Sequence, residues 1–301
     1  MTATAVELPH TGGAGGLRLV KAEYIKIRTT NTWWLFAIAV FVTTALALTA
    51  NIFQAHFFLN ADAPPPDADT GPGGPAAAQA QYELAHSVQT QAANIFTSGQ
   101  FFGGMFAMLL AILLITNEYY HQTATTTFLT TPHRTAVVGA KFVTAMLASA
   151  GFWLLTTVLS LITGIIYFKV DHFPNYLDDW SVQHAILVNL MVFALWGVFG
   201  VGFGVLLRSQ LGATITATVL YIAGTFLAGI IFQLIRFFWI KHDWVLTAQV
   251  IMPAEAARVA TAATKAYPQA APWWVGVLVL LGYGIVTGII GTLIMRRRDI
   301  T

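Results

Sequence analysis

The chain has 301 residues, of which 56% are hydrophobic and only 9% are charged, with a mean hydropathy of +0.68 and a formal charge of +2. Soluble domains carry about 25% charged residues, so this composition excludes an ordinary water-soluble domain and indicates a chain that lies in a bilayer. Because the sequence contains no cysteine, disulfides, thiolate metal sites and cysteine nucleophiles are excluded as well.

The N-terminal region, residues 1–31, is predicted to be cytoplasmic and to contain an amphipathic interfacial helix. In the stretch LRLVKAEYIKIR apolar side chains alternate with cations, a pattern typical of a helix in the headgroup plane. The apolar run that follows is too long for the core of a secretory signal, so we expect a retained membrane anchor. The interfacial residues are Arg18, Lys21, Tyr24, Lys26 and Arg28.

Six uncharged apolar windows follow, each of about 20 residues or more, which is the length that crosses about 30 Å of hydrocarbon. They predict an all-α integral membrane protein in which residues 32–301 form a single domain of six transmembrane helices. The third window is longer than a bilayer needs, so a tilted or projecting helix is expected. The windows lie near residues 32–54, 98–117, 138–168, 183–207, 211–235 and 273–295.

Two connecting segments are long enough to have structure of their own. Residues 55–97 are predicted to form a mobile extracellular loop, because residues 61–80 are rich in proline, glycine and small side chains that cannot bury a core. Residues 81–97 have few helix breakers, which is compatible with a helix. Residues 236–272 mix apolar side chains with prolines and are too short to span twice, so extracellular re-entrant or surface-lying helices are predicted.

The distribution of lysine and arginine predicts the orientation. With the N-terminus inside, ten of the 15 basic residues lie on the cytoplasmic side of the windows and the other five lie outside. The positive-inside rule therefore places both termini in the cytoplasm of a multi-pass cell membrane protein. The inner ten are Arg18, Lys21, Lys26, Arg28, Arg134, Lys141, Arg208, Arg296, Arg297 and Arg298, and the outer five are Lys169, Arg236, Lys241, Arg258 and Lys265.

The sequence lacks the residues and motifs that several energy sources and catalytic mechanisms require. No acidic or basic residue lies deep in a window, which disfavours coupling to protons or sodium ions. The phosphate-binding motif G-x-x-x-x-G-K-[ST] is absent, so the chain cannot hydrolyse ATP by that machinery. His121 and His133 lack a neighbouring carboxylate cluster, which disfavours a metal site. The chain is not expected to be an enzyme.

Glycine is frequent in the fourth and sixth windows, at Gly200, Gly202 and Gly204 and at Gly284 and Gly288. Small residues allow helices to approach closely in lipid. Ordinary packing within the bundle is the favoured interpretation, and a dimer seam or a moving interface stays open.

A spaced polar pattern connects the second and third windows. An acid closes the second window, Thr-Pro and a basic residue follow, and a lysine opens the third, in the pattern E-x(6)-T-x(5)-T-P-x-R-x(6)-K. The pattern, the N-terminal amphipathic segment and the six-span layout resemble the ABC-2 type family of ATP-binding cassette permeases. Ala124 stands where that family often has glycine. The residues that carry the pattern are Glu118, Thr125, Thr131, Pro132, Arg134 and Lys141.

The resemblance implies that residues 118–137 form a coupling helix that fits a cleft in a separate nucleotide-binding subunit. Glu118 would belong to an inner gate or its pairing network, while Arg134 and Lys141 would anchor the helix at the anionic inner leaflet. On the residues alone, a solvated connector with basic anchors is an equally good interpretation. The residues expected at the coupling contact are Glu118, Tyr119, Thr125, Thr126, Thr131, Pro132, Arg134 and Lys141.

The resemblance further implies an ABC-2, type V exporter-like bundle in a bacterial cytoplasmic membrane. Such a permease acts as a homodimer or heterodimer with two copies of an ATPase subunit. ATP and Mg would be bound by that partner, so no cofactor, metal or catalytic residue is expected in this chain. Membrane lipids are expected partners, and nucleic acid is not.

The expected function is ATP-driven export of an amphipathic substrate such as a drug, lipid or glycolipid. Aromatic and methionine side chains near the outer end of the second window are candidates to line the pathway, although core packing is their commoner role. A passive channel or membrane scaffold without ATPase coupling is one alternative, and a membrane-embedded enzyme that uses His121, His133 and Glu118 is another. The pathway candidates are Phe101, Phe102, Met105, Phe106 and Asn189.

Overall fold

The computed structural model describes residues 16–60, 74–121, 134–207, 209–240 and 242–297. Within these ranges the chain is all-helical, and six of its helical segments are long and apolar enough to cross a membrane, which confirms the predicted helical class and the number of candidate spans. The helices are α1 (Gly16–Thr29), α2 (Thr32–Asn60), α3 (Gly74–His86), α4 (Val88–Phe96), α5 (Gln100–Tyr120), α6 (Arg134–Val170), α7 (Trp180–Leu207), α8 (Gln210–Phe238), α9 (Trp244–Thr247), α10 (Pro253–Ala260) and α11 (Trp273–Arg297).

The candidate spans are α2, the pair α4 and α5, α6, α7, α8 and α11. At 37 residues α6 is about 55 Å long, well beyond the hydrocarbon thickness, in agreement with the long third window. The pair α4 and α5 is central, because 78% of its most apolar stretch is buried, against 17% for α2 and α8. The outer faces of α2 and α8 are apolar and exposed, as expected of surfaces that lipid covers.

The prediction of a mobile loop over residues 55–97 is wrong in part, whereas the helical interpretation of residues 81–97 is confirmed by the helices found there. α2 continues to Asn60, and α3 and α4 occupy residues 74–96, while the proline-rich residues 61–73 lie outside the described ranges. α4 is buried because its apolar side chains pack against α2, α6 and α7. Its Phe96 is accommodated by Gly164 on α6, where an added Cβ would lie 2.7 Å from the ring.

A short break separates α4 from α5 at residues 97–99. The hydroxyls of Thr97 and Ser98 donate to carbonyl oxygens in the last turn of α4, so these backbone groups are paired where the helix ends. Asn51 on α2 donates to the Ser98 hydroxyl over 2.8 Å. Gly99 packs against Thr156 on α6, and an added Cβ would lie 2.5 Å from the Cβ of that threonine.

Three glycines near the end of α7 allow α5 and α11 to pack closely on it. Gly200 and Gly204 face backbone atoms of Met108 and Ile112 on α5, and Gly202 faces the backbone of Thr287 on α11. An added Cβ at Gly284 or Gly288 on α11 would make only ordinary contacts, at 3.4 Å and 3.5 Å. Gly200, Gly202 and Gly204 of α7 therefore pack more closely on their neighbours than Gly284 and Gly288 of α11 do.

The segment between α8 and α11 closes the opposite end of the bundle from the N-terminus of α6. It contains α9, a 3₁₀ turn at Ala248–Ile251 and α10. Gln100 donates to the Ala257 carbonyl of α10 over 2.8 Å, and Gly276 on α11 faces the Ala256 carbonyl. The position of these helices relative to a membrane stays a prediction.

Replacing Gly200 with alanine is expected to lower the midpoint of thermal unfolding, because the added Cβ meets the carbonyl oxygen of Met108. Overpacking of this kind costs about 1–3 kcal/mol. Gly224→Ala on α8 is the matched control, since nothing lies within 4 Å of its added Cβ and alanine is the better helix former. Tryptophan fluorescence during heating in detergent measures both midpoints. Equal midpoints for the two variants would contradict the close packing of α7 on α5.

Candidate functional site

Four charged side chains from three helices meet at one end of the bundle. Lys141 Nζ on α6 donates to Glu23 Oε2 on α1 over 2.8 Å and to Glu118 Oε1 on α5 over 2.7 Å. Lys26 Nζ on α1 donates to the same two carboxylates, over 2.8 Å to Glu23 Oε1 and over 2.6 Å to Glu118 Oε1. Each lysine thus contacts both glutamates. We call Glu23, Lys26, Glu118 and Lys141 the ion network.

The ion network is buried apart from one of its lysines. The Lys141 side chain is 0% exposed and those of Glu23 and Glu118 are 5% and 7% exposed, whereas that of Lys26 is 43% exposed. Burying a single charge is costly, but two cations and two anions balance, and their hydrogen bonds replace part of the lost hydration. Removing one of the buried members alone therefore leaves an uncompensated buried charge.

Local sequence explains how the ion network is assembled. Glu23 and Lys26 are three residues apart, so they lie on one face of α1, the face that also carries the half-buried Leu19 and Ile27. Glu118 lies in the last turn of α5, where the helix dipole disfavours a carboxylate. Hydrogen bonds from Lys26 and Lys141 offset that effect and stabilise the Glu118 carboxylate at this position.

Lys26 lies outside the candidate spans and retains its charge. Burial disfavours its ammonium form, but hydrogen bonds and electrostatic attraction from Glu118 and Glu23 outweigh that effect, so the pKa of Lys26 is raised above its ordinary value. Because the folded-state pKa exceeds the unfolded one, the contribution of Lys26 to stability is fully present at neutral pH. It is lost only as the pH rises through the raised value.

A cavity of about 270 Å³ borders the ion network on the side of Lys26 and Glu118. Asn117 and His121 add polar groups to its wall, and Leu113 on α5 is among the apolar side chains that line it. The cavity gives water or a polar group access to the exposed side of Lys26, while Lys141 stays enclosed. Solvent can therefore reach the ion network at Lys26 but not at Lys141.

The structure brings together only part of the predicted coupling residues. Glu118 and Lys141 meet in the ion network, Tyr119 packs beside them against an apolar cluster, and α6 begins at Arg134. The prediction that Lys141 anchors the chain at lipid headgroups is wrong, because its ammonium group is enclosed between two carboxylates. The predicted residues that lie outside the described ranges are Thr125, Thr126, Thr131 and Pro132.

The predicted interfacial helix is α1, and its cations fall into two groups. The exposed residues are Arg18, Lys21, Tyr24 and Arg28. Lys26 instead faces the bundle and belongs to the ion network. Sequence reasoning missed Glu23, although a signal was present: it is the one acid among the cations of α1 and lies on the inward stripe of the helix.

The predicted pathway residues are packed into the bundle. Phe101, Phe102 and Phe106 are half-buried against a core that includes Met105, and the ring of Phe101 lies 5.0 Å from that of Tyr221. Asn189 is 1% exposed, and its Oδ1 has no hydrogen-bond partner among the described residues. These side chains therefore contribute to packing between α5 and its neighbours.

The fold and the site define an all-helical chain with six candidate membrane spans and a buried ion network at one end. No group of three or more histidine and acidic side chains that could hold a metal ion occurs among the described residues. Comparison with protein-family models finds no match, and comparison with curated protein sequences finds none.

Lys141→Met is expected to destabilise the chain by about 3–5 kcal/mol, because it leaves two buried carboxylates facing a single half-exposed lysine. Lys26→Met is the matched control and is expected to cost clearly less, since water in the adjoining cavity can replace a half-exposed ammonium group. Midpoints of thermal unfolding in detergent measure the difference.

Adding Glu118→Gln to Lys141→Met is expected to recover part of the lost stability, because the double variant removes the unpaired charge and leaves Lys26 with Glu23. A double variant that unfolds at or below the midpoint of Lys141→Met would contradict this description of the ion network. So would Lys141→Met unfolding at the same midpoint as the unaltered chain.

Proposed function

We propose that this chain is the membrane-spanning permease subunit of an ABC-2 type transporter. It exports an amphipathic substrate, and a separate nucleotide-binding subunit supplies the energy by hydrolysing ATP. The observation that carries the proposal is the ion network, which joins the end of α5, the start of α6 and α1 on both sides of residues 122–133. Those residues contain the Thr-Pro part of the pattern that resembles this family.

The ion network gives a partner a mechanical route into the bundle. A push on residues 122–133 acts on the helix that ends before them and on the helix that begins after them, and Glu118 and Lys141 join those two helices. α5 is the most buried span, so a displacement at its end is passed to α7, α2 and α8. Packed helices of this kind shift between discrete arrangements as rigid bodies.

α1 extends the same connection to the membrane surface. Its Glu23 and Lys26 belong to the ion network, while Arg18 and Lys21 of the same helix are exposed. In the proposed orientation this end of the bundle faces the cytoplasm, where an ATPase subunit is available and anionic lipids attract cations. α1, α5 and α6 would then move as one body when the partner binds or hydrolyses ATP.

An apolar cavity supports the proposal that the substrate is amphipathic. It has a volume of about 260 Å³ and lies between α5, α7, α8, α10 and α11. Aromatic rings of Trp196, Phe199, Tyr221 and Tyr283 line it, together with Met108. Apolar cavities with a few polar groups are typical of sites for small amphipathic molecules. These residues replace the phenylalanines at the start of α5 as the best candidates for substrate contact.

Coupling can be tested in vesicles that contain the chain and the nucleotide-binding protein that copurifies with it. The readouts are ATP hydrolysis and ATP-dependent movement of a fluorescent phospholipid probe. The Glu118→Gln/Lys141→Met double variant is expected to lose at least tenfold in chain-stimulated ATP hydrolysis, because α5 and α6 are no longer joined. Glu255→Gln/Arg258→Met is the matched control, since it removes an ion pair on α10 at the opposite end and is expected to keep the stimulation.

Two results would contradict the proposed function. ATP hydrolysis that is indifferent to the presence of the chain would favour a passive channel or a scaffold. Movement of the probe against its gradient by the chain alone would show that the energy does not come from a partner.

A further inference from the structure

A groove at the side of the bundle lies between α1, α2, α5 and α6. It has a volume of about 260 Å³. Tyr24 and Trp33 form part of its rim and are 53% and 40% exposed, whereas Leu110 and Phe152 lie buried at its base. The groove adjoins the cavity beside the ion network, with which it shares Ile27 and Leu110, and it is separate from the aromatic cavity between α5 and α8.

One end of the groove is cationic. Arg28, in the last turn of α1, lines it, and among the described residues no carboxylate forms an ion pair with this guanidinium. Trp33 Nε1 donates to the Arg28 carbonyl over 3.2 Å, which ties the start of α2 to the end of α1. Because tryptophan prefers the headgroup level of a membrane, we expect the cationic end at the depth of lipid phosphates.

The rest of the groove is apolar. Ala148, Gly151 and Leu155 follow one another on the same face of α6 and line it over about 10 Å along the helix. Gly151 leaves this strip open, since nothing lies within 4 Å of a Cβ added there. No acidic side chain lines the groove. A guanidinium at headgroup depth and an apolar strip below it match the two parts of a phospholipid.

We propose that this groove binds one anionic phospholipid, with its phosphate on Arg28 and an acyl chain along the Gly151 face of α6. Guanidinium groups form charge-assisted hydrogen bonds with phosphate, and a basic group beside a membrane helix favours anionic headgroups. The bound lipid would cover the joint between α1 and α6 next to the ion network. The inference does not depend on ATPase coupling, so it stands or fails separately from the proposed function.

Native mass spectrometry of the full chain tests the proposal. The protein is released from bilayers that contain equal amounts of phosphatidylglycerol and phosphatidylcholine with the same acyl chains. One phosphatidylglycerol is expected to be retained in preference to phosphatidylcholine. Arg28→Gln is expected to lower that preference about fivefold, because one cation near the surface is removed. Arg18→Gln, which removes an exposed cation of α1 outside the groove, is expected to leave it unchanged.

A second pair of variants tests the apolar part. Gly151→Leu is expected to reduce retention of the lipid, because the new side chain fills open space in the groove without a clash. Gly139→Leu is the matched control on the same helix, exposed and equally open but outside the groove.

Three outcomes would overturn the proposal. One is equal retention of the two lipids by the unaltered chain. Another is equal retention by the Gly151→Leu and Gly139→Leu variants. The third is release of the lipid by an excess of inorganic phosphate, which would assign the cationic end to a free anion.

Discussion

A buried charge needs a partner of opposite sign, and at one end of this bundle two lysines and two glutamates pair with one another. Lys141 is enclosed between carboxylates that come from two other helices, and each of those carboxylates also receives a hydrogen bond from Lys26. None of the three helices can move far without leaving a buried charge unpaired, a state that costs several kcal/mol. The positions of α1, α5 and α6 at this end follow from that constraint.

The rest of the bundle is packed closely around α5. α5 occupies its centre, and α7 lies close against it because Gly200 and Gly204 have no side chain. Gly202, on another side of α7, allows α11 to approach in the same way. Close backbone contacts leave little room for helices to slide independently, so a displacement of α5 is shared by its neighbours. A rigid end and a closely packed centre are the properties that the proposed coupling to an ATPase subunit needs.

Much of the fold could be predicted from the sequence because a bilayer permits so few solutions. Backbone groups in hydrocarbon must be paired within the chain, so long apolar windows can only be helices, and the extra length of α6 was visible in its window. A helix at α4 was compatible with the sequence, but its burial was not visible, because the segment is only weakly apolar and follows a proline-rich stretch. Its helix is stabilised by contacts with α2, α6 and α7 that no local pattern records.

The ion network was predictable only in part for a similar reason. Glu118 and Lys141 drew attention because they flank one polar connection, whereas Glu23 is 95 residues from Glu118 in the chain and looks like one more charge on an interfacial helix. Its role depends on tertiary packing. The aromatic residues at the start of α5 illustrate the converse, since composition alone does not separate a pathway lining from a core.

The central claim, that the ion network holds α1 and α6 together as one body, can be tested by a distance measurement. The chain has no cysteine, so spin labels at Ala22→Cys on α1 and Gly139→Cys on α6, both exposed, report this pair of sites alone. Pulsed electron paramagnetic resonance should give one narrow distance distribution that persists when an ATPase that copurifies with the chain is trapped with ATP, and the Glu118→Gln/Lys141→Met variant should broaden it. A distance that changes with nucleotide in the unaltered chain, or stays narrow in the variant, would contradict the claim.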